Sequence, residues 1–283
     1  MKRIALINDL SGFGKCSLTA AIPVISVMGI QACPLPTAIL SAQTGFRDYF
    51  LDDYTDRMDE FTRQWKKLGV SFDGIYSGYL AGHQQIEKVL FFLEEFKKEG
   101  TLYLADPVLG DNGRLYDNFT GELLQEMKEL VKQADVITPN LTEACLLVEE
   151  DYHELISHSQ EEDYLERIGA IAERLATRAE GEQQVVITGI IRQKPEGEKI
   201  GNLAFSGAGI SYAETRYTGK GFSGTGDLFS SVICGAMVKG LTAREAVEKA
   251  AYFLQDAIEE ASRENIPAPH GVHFERYLSR LVD

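Results

Sequence analysis

Short apolar stretches alternate with longer segments of helical period along most of this chain. The short stretches predict strands at 4–7, 74–76, 102–105, 136–138 and 185–188. The longer segments predict helices at 17–28, 53–68, 86–96, 123–131, 141–149, 164–179, 226–238 and 242–262. This alternation is typical of an α/β fold, with a mostly parallel central sheet and helices on both faces.

Three further segments complete the predicted architecture. Residues 32–40 are apolar and partly extended, and Pro34 and Pro36 confine them to an irregular or edge strand. Residues 200–205 and 209–215 are predicted to pair antiparallel near a sheet edge. Residues 192–199 are polar and contain Pro and Gly, which favours a surface loop over a domain linker. We therefore expect one domain over residues 1–283.

The composition narrows the possible partners. The 283 residues carry a net charge of −15, which repels nucleic acid and anionic membrane. No apolar run approaches the roughly 20 residues that a membrane span needs. The four cysteines are Cys16, Cys33, Cys145 and Cys234. They form no C-x-x-C pair and stand in apolar or helical surroundings, so we expect reduced core thiols and a cytoplasmic protein.

The most informative motif is Gly224-Thr225-Gly226-Asp227, which opens an apolar segment of helical period. Glycines let backbone N–H groups converge, and a helix N-terminus holds negative charge. A carboxylate beside such a cradle can accept a proton from an attacking hydroxyl, so the pair suits phosphoryl transfer. An ordinary helix start with Asp in its first turn fits the same residues.

Two loops that follow predicted strands carry further carboxylates. Asp106 and Asp111 flank a Pro and a Gly after the strand at 102–105, and hard cations such as Mg²⁺ prefer such oxygen ligands. An Asp-Pro turn is the structural alternative. In Thr138-Pro139-Asn140-x-x-Glu143, Asn140 and Glu143 have the spacing of a helix capping box. A supporting role for Glu143 near Mg²⁺ is the functional alternative.

These motifs together resemble the vitamin kinase branch of the ribokinase-like superfamily. The sequences GTGDLFSS, DPVLGD and TPNxxE carry the resemblance, and SGY at 77–79 is similar to the pyridoxal/pyridoxamine kinases. The resemblance covers essentially the whole chain, with the motifs in family order. It implies a three-layer ribokinase-like fold and ATP-dependent phosphorylation of the 5′-hydroxymethyl group of pyridoxal, pyridoxamine or pyridoxine.

The resemblance also implies a role for each site residue. Asp227 matches the catalytic base, and Gly224, Thr225 and Gly226 match the anion hole. Asp106 and Glu143 match the metal positions. The implied ATP contacts are Asp111, Asn140, Thr188 and Phe222, and the implied substrate contacts are Asp9, Gln43, Thr44 and Tyr79. Relatives use MgATP, are often stimulated by K⁺ and are commonly homodimers, so we expect the same here.

The substrate has a close alternative. The first loop (9–14) lacks the Ser-His pair of many pyridoxal kinases and is similar to hydroxymethylpyrimidine kinases, as is Gln43. The Lys-Gly-Gly-His lid of those enzymes is absent, because residues 188–192 read TGIIR. Hydroxymethylpyrimidine kinase of thiamine synthesis is therefore the nearest alternative. A non-catalytic vitamer-binding protein is a further one, which would not need Asp227.

Overall fold

The computed structural model describes residues 1–116 and 119–282. The strands in this part of the chain are β1 (Arg3–Ser11), β2 (Gln31–Leu40), β3 (Leu51–Asp53), β4 (Gly74–Ser77), β5 (Leu102–Ala105), β6 (Gly110–Asp111), β7 (Arg114–Leu115), β8 (Val136–Ile137), β9 (Gln184–Lys194), β10 (Gly197–Ser206) and β11 (Gly209–Arg216). The α-helices are α1 (Ser17–Val27), α2 (Thr55–Lys67), α3 (His83–Phe96), α4 (Gly121–Lys132), α5 (Leu141–Val148), α6 (Tyr152–Ser157), α7 (Tyr164–Ala176), α8 (Thr225–Val238) and α9 (Ala243–Arg263). Two 3₁₀ segments follow, at Ala268–His270 and Phe274–Leu281.

The central sheet has the strand order β11-β10-β9-β8-β5-β4-β1-β2-β3. The strands from β9 to β2 pair in parallel, whereas β10, β11 and β3 are antiparallel additions at the two edges. The predicted mostly parallel sheet is confirmed. Parallel strands β1, β4, β5 and β8 are neighbours, so the loops after them meet at one edge of the sheet, where ligands bind in such folds.

Helices cover both faces of this sheet. Along β1, Ile4 and Leu6 point into a buried cluster formed with residues of α1, α8 and α9. Ala5 and Ile7 point into the opposite cluster, which includes residues of α3, α4, α5 and α7. The alternation follows from the two-residue period of a strand, and it gives the predicted three layers. Among the described residues, no helix has the length and apolar character that crossing a bilayer requires.

The proline-containing segment behaves as predicted, and the polar segment does not. Pro34 and Pro36 lie in β2 where it pairs with β1, while β3 pairs only with the last three residues of β2. Residues 192–199, predicted as a loop, are instead the end of a hairpin in which Arg192 pairs with Lys199. Paired backbone groups extend both strands there despite the polar side chains, and Gly197, at φ +115°, allows the chain to reverse tightly.

Candidate active site

The α8 helix begins with an uncapped turn. Gly224 is its N-cap and adopts the left-handed conformation (φ 81°, ψ −3°), with no side chain to cap the helix. A Cβ at this position would lie 1.8 Å from the carbonyl oxygen of Lys15, so only glycine fits. The hydroxyl of Thr225 donates to the carbonyl of Phe222 (2.9 Å). The N–H of Thr225 also donates to the carbonyl of Phe222, at 3.4 Å. The next N–H groups, of Gly226 and Asp227, have no intrahelical acceptors, so they are available to an anion.

Asp227 follows in the same turn and is held from a different direction. The side-chain amide of Asn8 donates to its Oδ1 at 3.1 Å, and the backbone N–H of Ser17 also donates to the carboxylate. Withdrawal from water and the nearby charge of Asp9 raise the pKa of Asp227 to about 6. Asp227 is therefore ionised at neutral pH but basic enough to take a proton.

Asp9 lies beside this pair and is itself tightly bound. The hydroxyl of Ser17 donates to Oδ1 at 2.6 Å, and the hydroxyl of Ser11 donates to Oδ2 at 2.7 Å. Burial raises the pKa of Asp9. Ser17 adopts a positive φ of 50°, a strained conformation for a residue with a side chain. Asp9 thus fixes the start of α1, and its contact with substrate stays a prediction.

Asp106 lies after β5 in a buried polar network. The hydroxyl of Ser230, on α8, donates to its Oδ2 at 3.0 Å, and Ser230 shares a second hydrogen bond of 2.9 Å with Thr138. Burial and the charge of Asp227 raise the pKa of Asp106. The network links the loop after β5 to the helix that carries Asp227, so the two carboxylates titrate in each other's field.

Glu143 and Asn140 form the capping box that the sequence offered as one alternative. The backbone N–H of Asn140 donates to Glu143 Oε2 (2.8 Å), and the N–H of Glu143 donates to Asn140 Oδ1 (2.9 Å). Glu143 Oε1 also accepts the N–H of Leu109 (3.1 Å), and the Asn140 amide donates to the carbonyl of Gly110 (2.9 Å). These bonds fasten the loop after β5 to α5.

The proposed metal positions do not form a closed metal-binding cluster. Among residues 1–116 and 119–282, no three His, Cys, Asp or Glu side chains are placed to hold a metal ion together. Burial and the charge of Asp106 raise the pKa of Glu143, while the backbone donors lower it. Two buried carboxylates in mutual repulsion suit a hydrated Mg²⁺ that arrives with nucleotide phosphates and is held through water. The residues present fit that ion, and their metal role stays a prediction.

The predicted substrate residues lie in two different settings. Gln43 is buried, and its side chain donates to the carbonyl of Pro269 (2.9 Å) and accepts the N–H of Gly45 (2.7 Å), so it holds a loop in place. Thr44, next in that loop, is exposed. Tyr79 is half-buried, and its ring meets that of Phe119 edge-on, with centroids 6.4 Å apart. The substrate contacts of these residues stay predictions.

The predicted ATP residues are spread over the same edge of the sheet. Asp111 is exposed in the β6–β7 hairpin and accepts the N–H of Asn112. Thr188 is half-buried and forms a parallel bridge with Asn140, next to the capping box. Phe222 is buried in the cluster with α8 and α9, so its side chain serves the core. A contact of any of them with ATP stays a prediction.

Sequence reasoning missed three features of this site. It assigned no role to Asn8 or Ser17, which contact Asp227, and it overlooked the segment Ala268–His270. That segment accepts the N–H of Ser223 through Ala268 (3.0 Å) and the amide of Gln43 through Pro269. A buried Asn directly after an apolar strand is a usable signal. The C-terminal segment has none, because its partners are remote in sequence.

The fold and the site define a kinase of the ribokinase-like class. One solved structure is that of a candidate phosphomethylpyrimidine kinase from Bacteroides thetaiotaomicron VPI-5482, crystallised with pyridoxal. It superimposes with a TM-score of 0.87 at 38% identity, covering 99% of this chain and 95% of that one. Pyridoxal kinase from Lactobacillus plantarum superimposes with a TM-score of 0.87 at 27% identity, covering 100% and 97%. The fold prediction and the resemblance to vitamin kinases are confirmed.

The sequence comparisons identify the family. Residues 16–271 match the family described as phosphomethylpyrimidine kinase, and the chain belongs to it. It is 27% identical to pyridoxal kinase from Dictyostelium discoideum over 95% of this chain and 88% of that protein. It is 30% identical to hydroxymethylpyrimidine/phosphomethylpyrimidine kinase from Staphylococcus aureus (strain MSSA476) over 71% and 69%. The chain is therefore a kinase of the phosphomethylpyrimidine and pyridoxal kinase family.

Proposed function

We propose that this protein is a pyridoxal kinase, which transfers the γ-phosphoryl group of ATP to the 5′-hydroxymethyl group of a B6 vitamer. The proposal rests on the position of the Asp227 carboxylate, which is partly shielded from water and lies at the open N-terminus of α8. A proton acceptor and an anion cradle in one helical turn are what transfer to an alcohol requires. The Bacteroides relative solved with pyridoxal supports this substrate class.

In the proposed mechanism Asp227 acts as the general base. An alcohol is a poor nucleophile at neutral pH, so removal of its proton as the new O–P bond forms lowers the barrier. The pKa of Asp227, raised to about 6, suits this role because the carboxylate is deprotonated near pH 7. The proton moves to Asp227 as the substrate oxygen attacks the γ-phosphorus, and ADP leaves.

The charge of the transferred phosphoryl group is the second requirement. The first-turn N–H groups of α8, at Gly226 and Asp227, supply fixed donors for its oxygens. Mg²⁺, when bound, neutralises the charge of the ATP phosphates. Asp106 and Glu143 are the residues that would hold it through water. Tyr79 packs beside the pyridine ring, with Asp9 and Thr44 at its polar edge.

Hydroxymethylpyrimidine kinase is the second candidate function. The family description and the relative from Staphylococcus aureus favour it, because both name a pyrimidine substrate. The chemistry is the same, since both substrates are nitrogen heterocycles that carry a hydroxymethyl group. The sequence SGY at 77–79 and the lack of a Lys-Gly-Gly-His lid at residues 188–192 favour the B6 vitamer.

One assay separates the candidates. ADP release is coupled to a spectrophotometric readout with pyridoxal, pyridoxamine, pyridoxine and hydroxymethylpyrimidine as acceptors. We expect kcat/KM for at least one B6 vitamer to exceed that for hydroxymethylpyrimidine by about tenfold or more, which is about 1.4 kcal/mol of transition-state binding. Equal values, or a preference for the pyrimidine, contradict the pyridoxal kinase assignment. Lack of acceptor-dependent ADP release points to a vitamer-binding protein instead.

A further inference from the structure

The side chain of Asn8 connects three segments of the active site. Asn8 lies in the second half of β1, within its buried run Ile4–Asp9, and is only 1% exposed. Its Oδ1 accepts the backbone N–H groups of Asp9 and Tyr79, both at 3.0 Å. Its Nδ2 donates to Asp227 Oδ1 at 3.1 Å. One amide therefore joins β1, the loop after β4 and the start of α8.

These bonds fix which way the amide points. Two N–H donors require an acceptor, so the oxygen of Asn8 faces Asp9 and Tyr79. The nitrogen is left facing the carboxylate of Asp227, to which it can only donate. A rotation by 180° about the last side-chain bond would set oxygen against carboxylate and N–H against N–H. Asn8 is thus a donor of fixed direction.

The neighbouring backbone is built to leave room for this amide. A Cβ on Gly78 would lie 2.2 Å from Nδ2 of Asn8, far inside van der Waals contact. The N–H of Gly78 donates to the carbonyl of Ile7, so the loop cannot move away without losing this hydrogen bond to β1. Glycine at position 78 is explained by the close approach of the Asn8 side chain.

We propose that Asn8 is a positioning residue, which holds the Asp227 carboxylate in the orientation in which it takes the proton from the substrate hydroxyl. The inference rests on the proposed function of Asp227 as the base. Asn8 touches neither the reacting atoms nor the phosphates; it acts through Asp227. Its loss affects the chemical step more than the binding of either substrate.

The first test is a double-mutant cycle with Asn8→Asp. This variant keeps the size of the side chain and the acceptor for Asp9 and Tyr79, but it replaces the donor to Asp227 with an oxygen. We expect kcat to fall about 10- to 100-fold, as for loss of a hydrogen bond to a charged group, with KM for ATP unchanged. In an Asp227→Asn background the same change alters kcat less than about twofold, because coupled residues are not additive.

An equal loss in both backgrounds overturns the proposal, as does wild-type kcat for Asn8→Ala, which has no group that can donate to Asp227. Asn202→Asp is the matched control, because Asn202 lies on β10, which four strands separate from β1. The cycle uses whichever hydroxymethyl compound the wild-type protein phosphorylates fastest, so a different substrate preference leaves this test intact. Lack of turnover with every acceptor overturns both the proposed function and this inference.

The second test uses Gly78, which has no functional group of its own. Gly78→Ala should displace the Asn8 amide and lower kcat about tenfold or more. In an Asn8→Ala background the added methyl group enters the space that the truncated side chain vacates, so Gly78→Ala costs nothing further. If the two losses multiply, position 78 acts independently of Asn8 and the positioning role is wrong.

Discussion

Helices α5 and α8 both carry an acidic residue as their third helical residue, and the two carboxylates serve opposite purposes. In α5, Glu143 turns back and accepts the N–H of its own N-cap residue, Asn140. In α8, the side chain of Asp227 turns away from its own helix start and accepts a hydrogen bond from Asn8, a residue of β1. The first helix uses its acid to close its N-terminus, and the second leaves its N-terminus open.

The difference lies in the N-cap residue and in one methylene group. Asn140 has a side chain that caps α5, and Glu143 is long enough to complete the reciprocal bond. Gly224 has no side chain, and the left-handed turn it forms packs against Lys15. Helix α9 repeats the closed arrangement with Thr242 and Glu245. Side chains cap α4, α5, α6 and α9, whereas α1, α2, α3, α7 and α8 have no side-chain cap. What distinguishes α8 is the carboxylate of Asp227 beside its uncapped first turn, where an anion can bind.

The largest effect should come from removing the acid of the open helix. We expect Asp227→Asn to keep the fold and ATP binding but to lower kcat about 10²–10⁴-fold, the usual contribution of a general base. Glu245→Gln, at the same position of the closed helix α9, should leave kcat unchanged. Single-turnover and steady-state rates with saturating substrate measure both. Near wild-type kcat for Asp227→Asn would contradict the assignment of the base.

The next effect should come from giving the open turn a side chain. Gly224→Ala places a Cβ 1.8 Å from the carbonyl of Lys15 and forces alanine to a φ of +81°, so we expect a loss of about 1–3 kcal/mol or more in the free energy of unfolding. Gly226→Ala meets nothing within 4 Å and should change that free energy by less than about 1 kcal/mol. Urea titrations of both variants measure the difference. Equal stabilities would show that the close approach at Gly224 is tolerated.

Local patterns made the two helix starts predictable, but their partners were not. The spacing from Asn140 to Glu143 identifies a capping box, and the glycines before Asp227 identify an open turn, because both signals lie within four residues. The bond from Asn8 to Asp227 spans 219 positions, and that from Gln43 to Pro269 spans 226. Only the folded sheet brings such residues together. The hairpin at 192–199 was mispredicted for a related reason, because strand pairing overrode local polarity.

The two capping boxes, in α5 and α9, offer a matched pair of variants. Glu143→Ala leaves the buried N–H of Leu109 without its acceptor, so we expect a loss of about 1–3 kcal/mol in the free energy of unfolding. Glu245→Ala removes the same box from an exposed helix start and should cost less. If Glu143 also serves the metal, the Mg²⁺ concentration for half-maximal rate rises for Glu143→Ala alone, as does the Mg²⁺ needed for thermal stabilisation by an ATP analogue. A loss of stability with unchanged Mg²⁺ dependence would leave Glu143 a capping residue only.

The last effect that we expect is a pH-dependent cost of the open helix. The pKa of Asp227 is about 6 in the folded protein, above the value of 3.8 for an exposed Asp, so the folded state binds this proton more tightly than the unfolded chain does. The stability that the group contributes is complete below pH about 4 and is lost as the pH rises through 6. Asparagine cannot ionise and escapes that loss. We therefore expect the free energy of unfolding of Asp227→Asn, relative to wild type, to be greater at pH 7.5 than at pH 4.5.

Urea titrations at the two pH values measure this difference, with Asp52→Asn on the exposed strand β3 as the control for removing a surface charge. A relative stability that is the same at both pH values, or that falls as the pH rises, would mean that the folded protein imposes no electrostatic cost on Asp227.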